Sequence, residues 1–330
     1  MEFGINITDP TFGGPINGDW SPAFQNAINT VAINASYSGG LIFVPRGNYT
    51  LKSSITISTL ESDLLASITI EGEGMHSTIL DFNNQGSGLI VEHGTFFKLR
   101  GFYIKGSIDH NILIKTGANH VELTNLRSSF AAKSGVTFER SFLITMRDVF
   151  ASHNTWHGFE FQGFHTSVHG ASCFTASNHL DGWVINDMVY SSFNSCAADK
   201  NRKGWSISNI SSVKLTGCGY ESNSQAGFYV HAPASTTVIN DVENLSMESC
   251  FGTNNNTGGG FSNFLYIQTT LAGKVSVVMK NCSDLDPPAG SSSVVIDGTG
   301  PRLIDDNNIF QSTIEGVNGA YCCYRACLYC

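Results

Sequence analysis

Charged residues are scarce in this sequence: Lys, Arg, Asp and Glu together account for 14% of its 330 residues. Proline is also rare, with 8 residues against 34 glycines. A surface this poor in charge must be built from Ser, Thr, Asn and Gly, which argues against long surface helices and against a coiled coil. No apolar run reaches the roughly 18 residues that a membrane-spanning helix requires. We therefore expect no membrane insertion.

Positive charge is the scarcer of the two signs. The chain has 18 Lys and Arg residues against 27 Asp and Glu residues, which gives a net charge of −9. Such a chain lacks the basic surface of a nucleic-acid-binding protein, so we expect no nucleic-acid partner. The first residues, Met1-Glu2-Phe3-Gly4, lack the basic and apolar regions of a signal peptide. We expect either that the protein does not use that export route or that the chain is a trimmed one.

The chain has nine cysteines, so at least one thiol has no partner within it. Five are widely spaced: Cys173, Cys196, Cys218, Cys250 and Cys282. The other four crowd into the last nine residues and are Cys322, Cys323, Cys327 and Cys330. Their spacing fits zinc ligands, disulfides or a cloning artefact equally well, so their state stays open. We treat the two groups of cysteines as separate features.

An internal repeat decides the architecture, and it consists of a glycine followed by alternating apolar residues. Copies begin at Gly88, Asn111 (in the glycine position), Gly135, Gly158, Gly182, Gly204 and Gly227. Successive copies begin 23, 24, 23, 24, 22 and 23 residues apart. Alternation places the first and third residues after each glycine on one face of a short strand. A unit of this size cannot bury such a face alone, so the copies must stack.

A second series runs in phase with the first. Cys173, Cys196 and Cys218 are 23 and 22 residues apart, and an asparagine follows each of them five residues later, at Asn178, Asn201 and Asn223. Stacked amides hydrogen-bond from coil to coil at turns. The Leu-x-x-Leu-x-Leu pattern of leucine-rich repeats is not sustained, and no helix fits within a repeat. The spacing therefore predicts an all-β fold, a single-stranded parallel β-helix of about 23 residues per coil.

The N-terminal segment differs from the repeats. Ser21-Pro22 predicts the start of a helix, with Ser21 as its N-cap, and apolar residues follow at helical spacing until Ser38-Gly39-Gly40. We interpret this short helix as a cap over the open end of the solenoid. The predicted organisation is an N-terminal cap with the helix and first strand at 1–50, the parallel β-helix at 51–285, and a C-terminal extension with the Cys-rich tail at 286–330.

Several stretches of the first 82 residues carry a resemblance to a known family. They are Phe3-Gly4, Thr8-Asp9-Pro10-Thr11, the helix with Ala23-Phe24-Gln25-Asn26-Ala27-Ile28, Gly40 to Tyr49, Ile68 to Gly74 and Ser77 to Leu80. These stretches look like the opening of the pectate-lyase-like superfamily, and the resemblance implies a right-handed parallel β-helix. The superfamily includes bacteriophage tailspikes, polysaccharide lyases, hydrolases, epimerases and non-catalytic spikes, so the resemblance is specific for the fold and weak for activity.

The resemblance implies a tailspike-like role more than a pectinase role. Polygalacturonases of the superfamily carry Asn-Thr-Asp, Asp-Asp and Gly-His-Gly motifs in successive coils, and the only Asp-Asp here, Asp305-Asp306, lies outside the repeat. The acidic calcium ligands of pectate lyases have no counterpart. The chain is most similar to a bacteriophage tailspike or tail-fibre polysaccharide depolymerase. That similarity implies a homotrimer at an extracellular or virion surface.

Two acidic residues share one position of the repeat. Asp199 and Glu221 each lie three residues past a cysteine of the ladder, and His153, Ala176 and Thr253 hold the equivalent positions of other coils. Neighbouring coils are about 4.8 Å apart, so the two carboxyl groups repel each other and one is suited to act as an acid. The pair predicts catalysis of glycoside hydrolysis. The alternative is two solvated side chains at a turn.

Other polar residues form a second set of candidates. Glu160 and Asp181 are the second choice for the catalytic pair. Aromatic and histidine side chains that suit a sugar ring are Trp156, His157, Tyr220, Tyr229 and His153. Lys200 begins a basic turn with Arg202 and Lys203, and this turn suits an acidic sugar. The ten histidines are spread over different repeat positions, so we expect no metal site and no cofactor.

The sequence therefore predicts a protein that binds and depolymerises a host cell-surface polysaccharide such as a capsule or O-antigen. A wall of Ser, Thr, Asn and aromatic residues suits a carbohydrate, because sugar hydroxyls need many neutral hydrogen-bond partners. Hydrolysis by paired carboxylates is the favoured chemistry, and a polysaccharide lyase is the alternative within the enzymes. The non-enzymatic alternative is a β-helical virion spike or adhesin that serves as a stiff rod.

Overall fold

The computed structural model describes residues 3–34, 40–58, 67–232, 242–253, 263–269, 275–285, 293–297, 302–306, 308–310, 314–316 and 321–324. Short parallel strands dominate these residues, and they are accompanied by one 3-10 turn, Pro10–Phe12, and one α-helix, α1, Ser21–Asn34. The chain divides into two compact units, Met1–Glu160 and Phe161–Cys330.

The strands of the first unit are β1 (Phe3–Asn6), β2 (Gly40–Val44), β3 (Gly47–Thr50), β4 (Ile55–Ile57), β5 (Ile68–Gly72), β6 (Thr78–Asp81), β7 (Leu89–Val91), β8 (Gly94–Lys105), β9 (Ile112–Ile114), β10 (Ala118–Ser129), β11 (Val136–Glu139) and β12 (Phe142–Ser152). Strand β13 (Phe159–Gln162) begins in this unit and ends in the next.

The second unit continues with β14 (His165–Ala171), β15 (Phe174–Ala176), β16 (Trp183–Asn194), β17 (Ala197–Asp199), β18 (Trp205–Thr216), β19 (Gly219–Glu221), β20 (Phe228–Ala232), β21 (Val242–Glu248), β22 (Phe251–Thr253), β23 (Leu265–Thr269), β24 (Val275–Lys280), β25 (Ser283–Leu285), β26 (Val294–Asp297), β27 (Arg302–Asp306), β28 (Ile309–Phe310), β29 (Ile314–Gly316) and β30 (Tyr321–Tyr324).

Coils of the first unit stack in parallel register. Strand β10 pairs with β8 on one side and with β12 on the other, so that Leu123 faces Leu99 and Met146. All three side chains are fully buried, because residues at equivalent positions of successive coils point to the same face. The alternation of apolar and polar residues thus becomes a continuous core column.

The second unit stacks in the same way around larger side chains. Trp183, Trp205 and Phe228 are register partners on β16, β18 and β20. The two indole rings are stacked and nearly parallel, with 4.7 Å between centroids, and all three side chains are buried. Parallel coils in both units confirm the predicted parallel β-helix, and both tryptophans occupy the first position after the repeated glycine, on the buried face.

The repeated glycine is required by the approach of one coil to the next. A Cβ added at Gly204 lies 2.6 Å from the carbonyl oxygen of Gly227, and one added at Gly182 lies 2.8 Å from that of Gly204. Real Cβ atoms essentially never come that close to backbone, so a side chain at either position forces the coils apart. The periodicity in the sequence is the trace of this repeated close contact.

Both ladders predicted from the sequence are present. Cys173, Cys196 and Cys218 form no disulfide and are buried in the core, which confirms the predicted ladder, and the buried Cys250 and Cys282 extend it. The backbone N–H of Asn178 donates to Oδ1 of Asn201 at 3.0 Å, and the N–H of Asn201 donates to Oδ1 of Asn223 at 2.9 Å. The asparagine side chains therefore substitute for strand pairing at the turns, as the spacing predicts.

Helix α1 covers the first coil, but its N-terminus differs from the prediction. Ser21 is the first helical residue rather than the cap, and the Asp19 carboxylate accepts hydrogen bonds from its N–H and hydroxyl. The Ser21 hydroxyl instead accepts from the N–H of Ser53 at 3.0 Å and joins the helix to the coil beneath it. The apolar face of the helix is buried through Ala23, Phe24, Ala27, Ile28 and Val31.

The coils extend beyond the boundary predicted at residue 285. Strand β26 pairs in parallel with β23, β27 pairs with β24, and β30 pairs with β27. Cys322 and Cys323 lie on β30, whereas Cys327 and Cys330 lie outside the described residues. At the other end, β2 and β3 of the predicted cap already pair with β5 and β6, so the coils begin before residue 51.

Candidate functional site

Asp199 and Glu221 occupy equivalent positions on neighbouring coils. Strand β17 pairs with β19 so that Asp199 faces Glu221, and their neighbours in the same row are Ala176 and Thr253. Parallel strands lie about 4.8 Å apart, so the two carboxylates project from adjacent rungs at the end of their strands. The register predicted from the cysteine spacing is therefore confirmed, whereas the catalytic role of the pair remains a prediction.

The two carboxylates have different surroundings. Glu221 is exposed, while the side chain of Asp199 retains 18% of its accessible surface. The Nζ atom of Lys200 lies 3.1 Å from Oδ2 of Asp199. The other oxygen, Oδ1, is buried and makes no hydrogen bond to the described residues. A buried oxygen without a donor is costly to keep in a fold, and functional sites are where such atoms concentrate.

An open cleft of about 530 Å³ lies at the turns that follow the two carboxylates in sequence. We call it the corner cleft, and its lining residues are Ser177, Asn178, His179, Lys200, Asn201, Arg202, Ser222 and Ser224. Lys200 and Ser222 directly follow Asp199 and Glu221 in sequence and adopt left-handed backbone angles, with φ of 52° and 54°. The chain thus turns sharply after each carboxylate, and hydroxyl, amide and cationic groups surround the opening.

Tyr220 is not part of this surface, and the expectation that it forms a sugar platform is wrong. Its side chain is 2% exposed, and its hydroxyl donates to Oδ1 of the buried Asp284 at 3.2 Å. Residues alternate between the two faces of a strand, so Tyr220 must point inward when its neighbour Glu221 points outward. Its ring fills the space beside Gly252, where an added Cβ lies 1.9 Å from the ring.

Three further candidates belong to the first unit. Trp156 is 40% exposed, and Nζ of Lys133 lies 5.4 Å from the centre of one of its rings. His153 is exposed at a left-handed turn with its ring 5.3 Å from that of Phe130. The backbone N–H of His157 donates to the Ser134 hydroxyl at 3.4 Å. Trp156 and His153 are therefore accessible to a ligand. They belong to a different unit from Asp199, Glu221 and Lys200, which lie in the second unit.

The second-choice catalytic residues are largely withdrawn from solvent. Glu160 is 8% exposed, and Oε2 accepts a hydrogen bond from the Ser134 hydroxyl at 2.6 Å. Asp181 is 3% exposed, and both of its oxygens accept from the guanidinium of Arg202, at 2.8 and 3.0 Å. The Asp181 carboxylate is therefore committed to a structural ion pair. Glu160 lies in the first unit and Asp181 in the second.

Tyr229 lies in a group of residues that the sequence predicted only in part: Tyr229 and Lys203 were candidates, whereas Tyr266 was not. Nζ of Lys203 lies 3.4 Å from the centre of the Tyr229 ring, and that ring stacks on Tyr266 with 5.7 Å between centroids. The His231 ring lies 5.0 Å from the Tyr229 ring. We call these four residues the tyrosine cluster. Tyr266 follows Tyr229 by 37 residues, so the 23-residue period does not align the two tyrosines.

Burial perturbs the acid–base chemistry of the tyrosine cluster. Burial, reinforced by the charge of Lys203, lowers the pKa of His231 to about 4. Burial also lowers the pKa of Lys203, and the charge of Arg202 acts in the same direction. Burial raises the pKa of Tyr266 to about 12, with a further contribution from its hydrogen bond to Asp297. Both tyrosines and His231 are consequently neutral near neutral pH, and Lys203 is the basic residue of the group.

Neither metal ligands nor membrane helices occur in the part of the chain that the structure describes. No group of three or more His, Cys, Asp or Glu side chains converges there in a way that suits a metal ion. Within the same residues, no helix is long and apolar enough to span a membrane.

Comparison with known proteins identifies the fold. No protein-family model and no curated protein matches the chain. Among solved structures, ORF18 of Geobacillus virus E2 is 16% identical with a TM-score of 0.71, and the match covers 94% of this chain and 62% of that one. The gp42 tailspike of Acinetobacter phage vb_AbaP_AS12 is 14% identical with a TM-score of 0.70, and the match covers 98% of this chain and 61% of that one.

An enzyme has the same fold. The catalytic domain of a GH87 α-1,3-glucanase, solved with tetrasaccharides, is 11% identical with a TM-score of 0.72, and the match covers 97% of this chain and 69% of that one. The chain thus spans a little under two thirds of the length of the two viral proteins. These likenesses confirm that the chain has the parallel β-helix fold that its opening residues predict. At such low identities, they establish the fold alone.

Proposed function

We propose that this protein binds a polysaccharide and depolymerises it by glycoside hydrolysis, with Asp199 and Glu221 as the catalytic pair. The observation that carries the proposal is the register of the two carboxylates on neighbouring coils beside the corner cleft. Hydrolysis requires one carboxyl group that donates a proton to the glycosidic oxygen and a second that attacks the sugar or activates water. Asp199 and Glu221 supply these two carboxyl groups from neighbouring coils.

The surroundings of the two residues suit different roles. Lys200 places a positive charge beside Asp199, which matches the role of nucleophile or base, because that role needs a carboxylate. Glu221 is exposed and has no cation within 4.0 Å among the described residues, which matches the role of acid. Ser177, Ser222, Ser224 and His179 around the corner cleft supply hydrogen-bond partners for sugar hydroxyls.

The structural neighbours support a carbohydrate substrate. They include two tailspike proteins and enzymes whose names refer to glucan and alginate. We propose accordingly that the protein is displayed on a virion surface as a homotrimer and acts on a host capsule or O-antigen. Static light scattering tests the assembly, since a trimer of the 35.6 kDa chain has about three times that mass. A monomer at micromolar concentration contradicts it.

The activity itself is tested with a panel of capsular and O-antigen polysaccharides. New reducing ends without ultraviolet absorbance identify a hydrolase. Reducing ends together with the absorbance of an unsaturated product identify a lyase, the alternative that the basic turn of Lys200, Arg202 and Lys203 favours, because such a turn suits an acidic sugar. Neither product, together with retained binding, identifies a non-catalytic spike.

A further inference from the structure

Lys203 differs from most lysines of this chain in having an aromatic partner and no acidic one. Its Nζ atom lies over the Tyr229 ring, and no carboxylate oxygen of the described residues comes within 4.0 Å of it. Six other lysines, by contrast, pair with an acidic residue, namely Lys98, Lys105, Lys115, Lys133, Lys200 and Lys214. The Lys203 side chain is only partly exposed, so its charge is incompletely hydrated as well as unpaired.

The nearest acidic residue does not supply the missing charge. Asp181 influences Lys203 electrostatically, but both carboxylate oxygens of Asp181 are bound by Arg202 in a bidentate ion pair. That pair is neutral as a unit. The side chain of Lys203 therefore has no anionic partner among the described residues and can pair with an anionic ligand.

The tyrosines hold this ammonium group in place. Tyr229 donates its hydroxyl hydrogen bond to Oε1 of Gln268, and Tyr266 donates to Oδ2 of Asp297 at 3.0 Å. With both hydroxyls engaged, the stacked rings are fixed in orientation, and the face of Tyr229 offers Lys203 a weak electrostatic partner in place of an anion. A fixed, partly dehydrated ammonium is preorganised for an anionic group.

His231 adds an unused polar group beside Lys203. Its ring lies 5.0 Å from that of Tyr229, and it makes no hydrogen bond to the described residues although it is only partly exposed. As a neutral imidazole it offers one N–H donor and one nitrogen acceptor. One sugar hydroxyl can use either atom. The cluster thus combines an unpaired cation with a neutral hydrogen-bonding group.

We propose that the tyrosine cluster binds an acidic sugar residue, with its carboxylate on Lys203 and a ring hydroxyl on His231. The sugar part of this inference rests on the proposed function, whereas the anion part rests on the geometry of Lys203 alone. The cluster contains neither Asp199 nor Glu221: Tyr229, His231 and Tyr266 lie on β20 and β23, and Lys203 lies in the turn between β17 and β18. The cluster selects the substrate by charge and takes no part in bond cleavage.

The test is a binding titration of the full chain with single sugars, followed by NMR of the His231 ring. D-glucuronate and D-galacturonate are the acidic probes, D-glucose and D-galactose are their neutral counterparts, and acetate represents a simple anion. We expect the uronates to bind at least about tenfold more tightly than the neutral sugars and acetate, and to shift the His231 signals. Equal binding of uronate and glucose, or of uronate and acetate, overturns the proposal.

Substitutions locate the site. Lys203→Met keeps the aliphatic contact with Tyr229 and removes the charge, so uronate affinity should fall about tenfold or more. Lys203→Arg should restore most of the affinity, and Lys214→Met, at an exposed lysine paired with Glu248, should leave it unchanged. Circular dichroism and thermal unfolding establish that each variant is folded. If Lys203→Met and Lys203→Arg both retain the affinity of the unaltered protein, the ammonium group is not the ligand.

The same titration separates this inference from the proposed hydrolysis. Asp199→Asn and Glu221→Gln should abolish cleavage of the polysaccharide and leave uronate affinity unchanged, because neither residue belongs to the tyrosine cluster. Uronate binding by a protein that cleaves no polysaccharide refutes the hydrolase proposal alone. Cleavage of a polysaccharide by a protein that binds uronate no better than glucose refutes the tyrosine cluster alone.

Discussion

The Gln25 side chain makes both hydrogen bonds with Thr56 that a neighbouring strand would make. Nε2 donates to the Thr56 carbonyl oxygen at 2.9 Å, and the Thr56 N–H donates to Oε1 at 3.0 Å. On its other side, Thr56 is paired with Ile90 of β7. A residue of helix α1 therefore satisfies the open side of β4, which is the kind of edge that invites pairing with another chain.

Gln25→Met should consequently weaken the first coil. The substitution keeps the length of the side chain but leaves one N–H and one C=O of Thr56 without partners, and we expect a loss of about 2 kcal/mol in the free energy of unfolding. Urea denaturation measures the loss, and concentration-dependent light scattering reports edge association. Gln85→Met, at an exposed glutamine, is the control. Equal stabilities of the two variants contradict the role assigned to Gln25.

The repeated glycines and the buried face of the residues that follow them could be predicted because their constraint repeats from coil to coil. Gly182 and Gly204 admit no Cβ for the same reason, the carbonyl oxygen of the glycine one coil further on. Trp183 and Trp205 stack because equivalent positions of successive strands face each other. A constraint that recurs at a fixed interval leaves a periodic trace in the sequence, and the β-helix was predicted from that trace.

The direction of the Tyr220 side chain follows from the alternation of residues along its strand and not from its residue type. It lies beside Glu221, but the row through Ala198, Tyr220, Gly252 and Asp284 faces inward. A period of two places consecutive residues on opposite faces, so Tyr220 and Glu221 had to be separated. The prediction grouped them by sequence proximity and therefore misplaced the tyrosine.

The tyrosine cluster was hidden for a different reason. Tyr229 and Tyr266 are register partners on β20 and β23, yet 37 residues separate them in sequence. The contact of Lys203 with Tyr229 adds an interaction between side chains of different coils, which depends on rotamers rather than on spacing. Such a site becomes visible only once the coils are placed.

The ion pair of Asp181 and Arg202 should matter for stability. Arg202→Met leaves the Asp181 carboxylate almost fully buried without its bidentate partner, and we expect a loss of about 3 kcal/mol in the free energy of unfolding. Asp181→Leu combined with Arg202→Met removes both charges and should recover most of that loss. Chemical denaturation of the two variants decides the matter. A double variant no more stable than Arg202→Met contradicts this account of the pair.

Asp284 should make stability depend on pH in the direction unusual for an acid. Burial raises its pKa from 3.8 to about 6. The folded chain therefore holds a proton that the unfolded chain has already released, so the stabilisation is fully present below about 3.8 and is lost as the pH rises through about 6. Asp284→Asn, which keeps a partner for Tyr220, should remove this loss. Urea denaturation across that range measures it, and an unchanged pH profile contradicts the prediction.

His231 should act in the opposite direction. Its pKa falls from 6.5 in the unfolded chain to about 4 in the fold, chiefly through burial. The unfolded chain takes up a proton first, so the stabilisation is present above about 6.5 and is lost as the pH falls toward about 4. His231→Gln should flatten that part of the profile. NMR titration of the imidazole checks the pKa directly, and a value near 6.5 in the folded protein removes the basis of the prediction.

Asp199→Asn and Glu221→Gln should each reduce polysaccharide cleavage by about three orders of magnitude, because each removes a proton donor or acceptor from the reaction. Both residues end their strands, with Glu221 exposed and Asp199 partly exposed, so the free energy of unfolding should change by less than about 1 kcal/mol. Glu248→Gln, at a solvent-exposed carboxylate paired with Lys214, is the matched control and should cleave normally. Reducing-end release under identical conditions measures all three variants. Normal cleavage by both Asp199→Asn and Glu221→Gln removes this pair from the reaction, whereas unfolding of both shows that the carboxylates serve the coil structure instead.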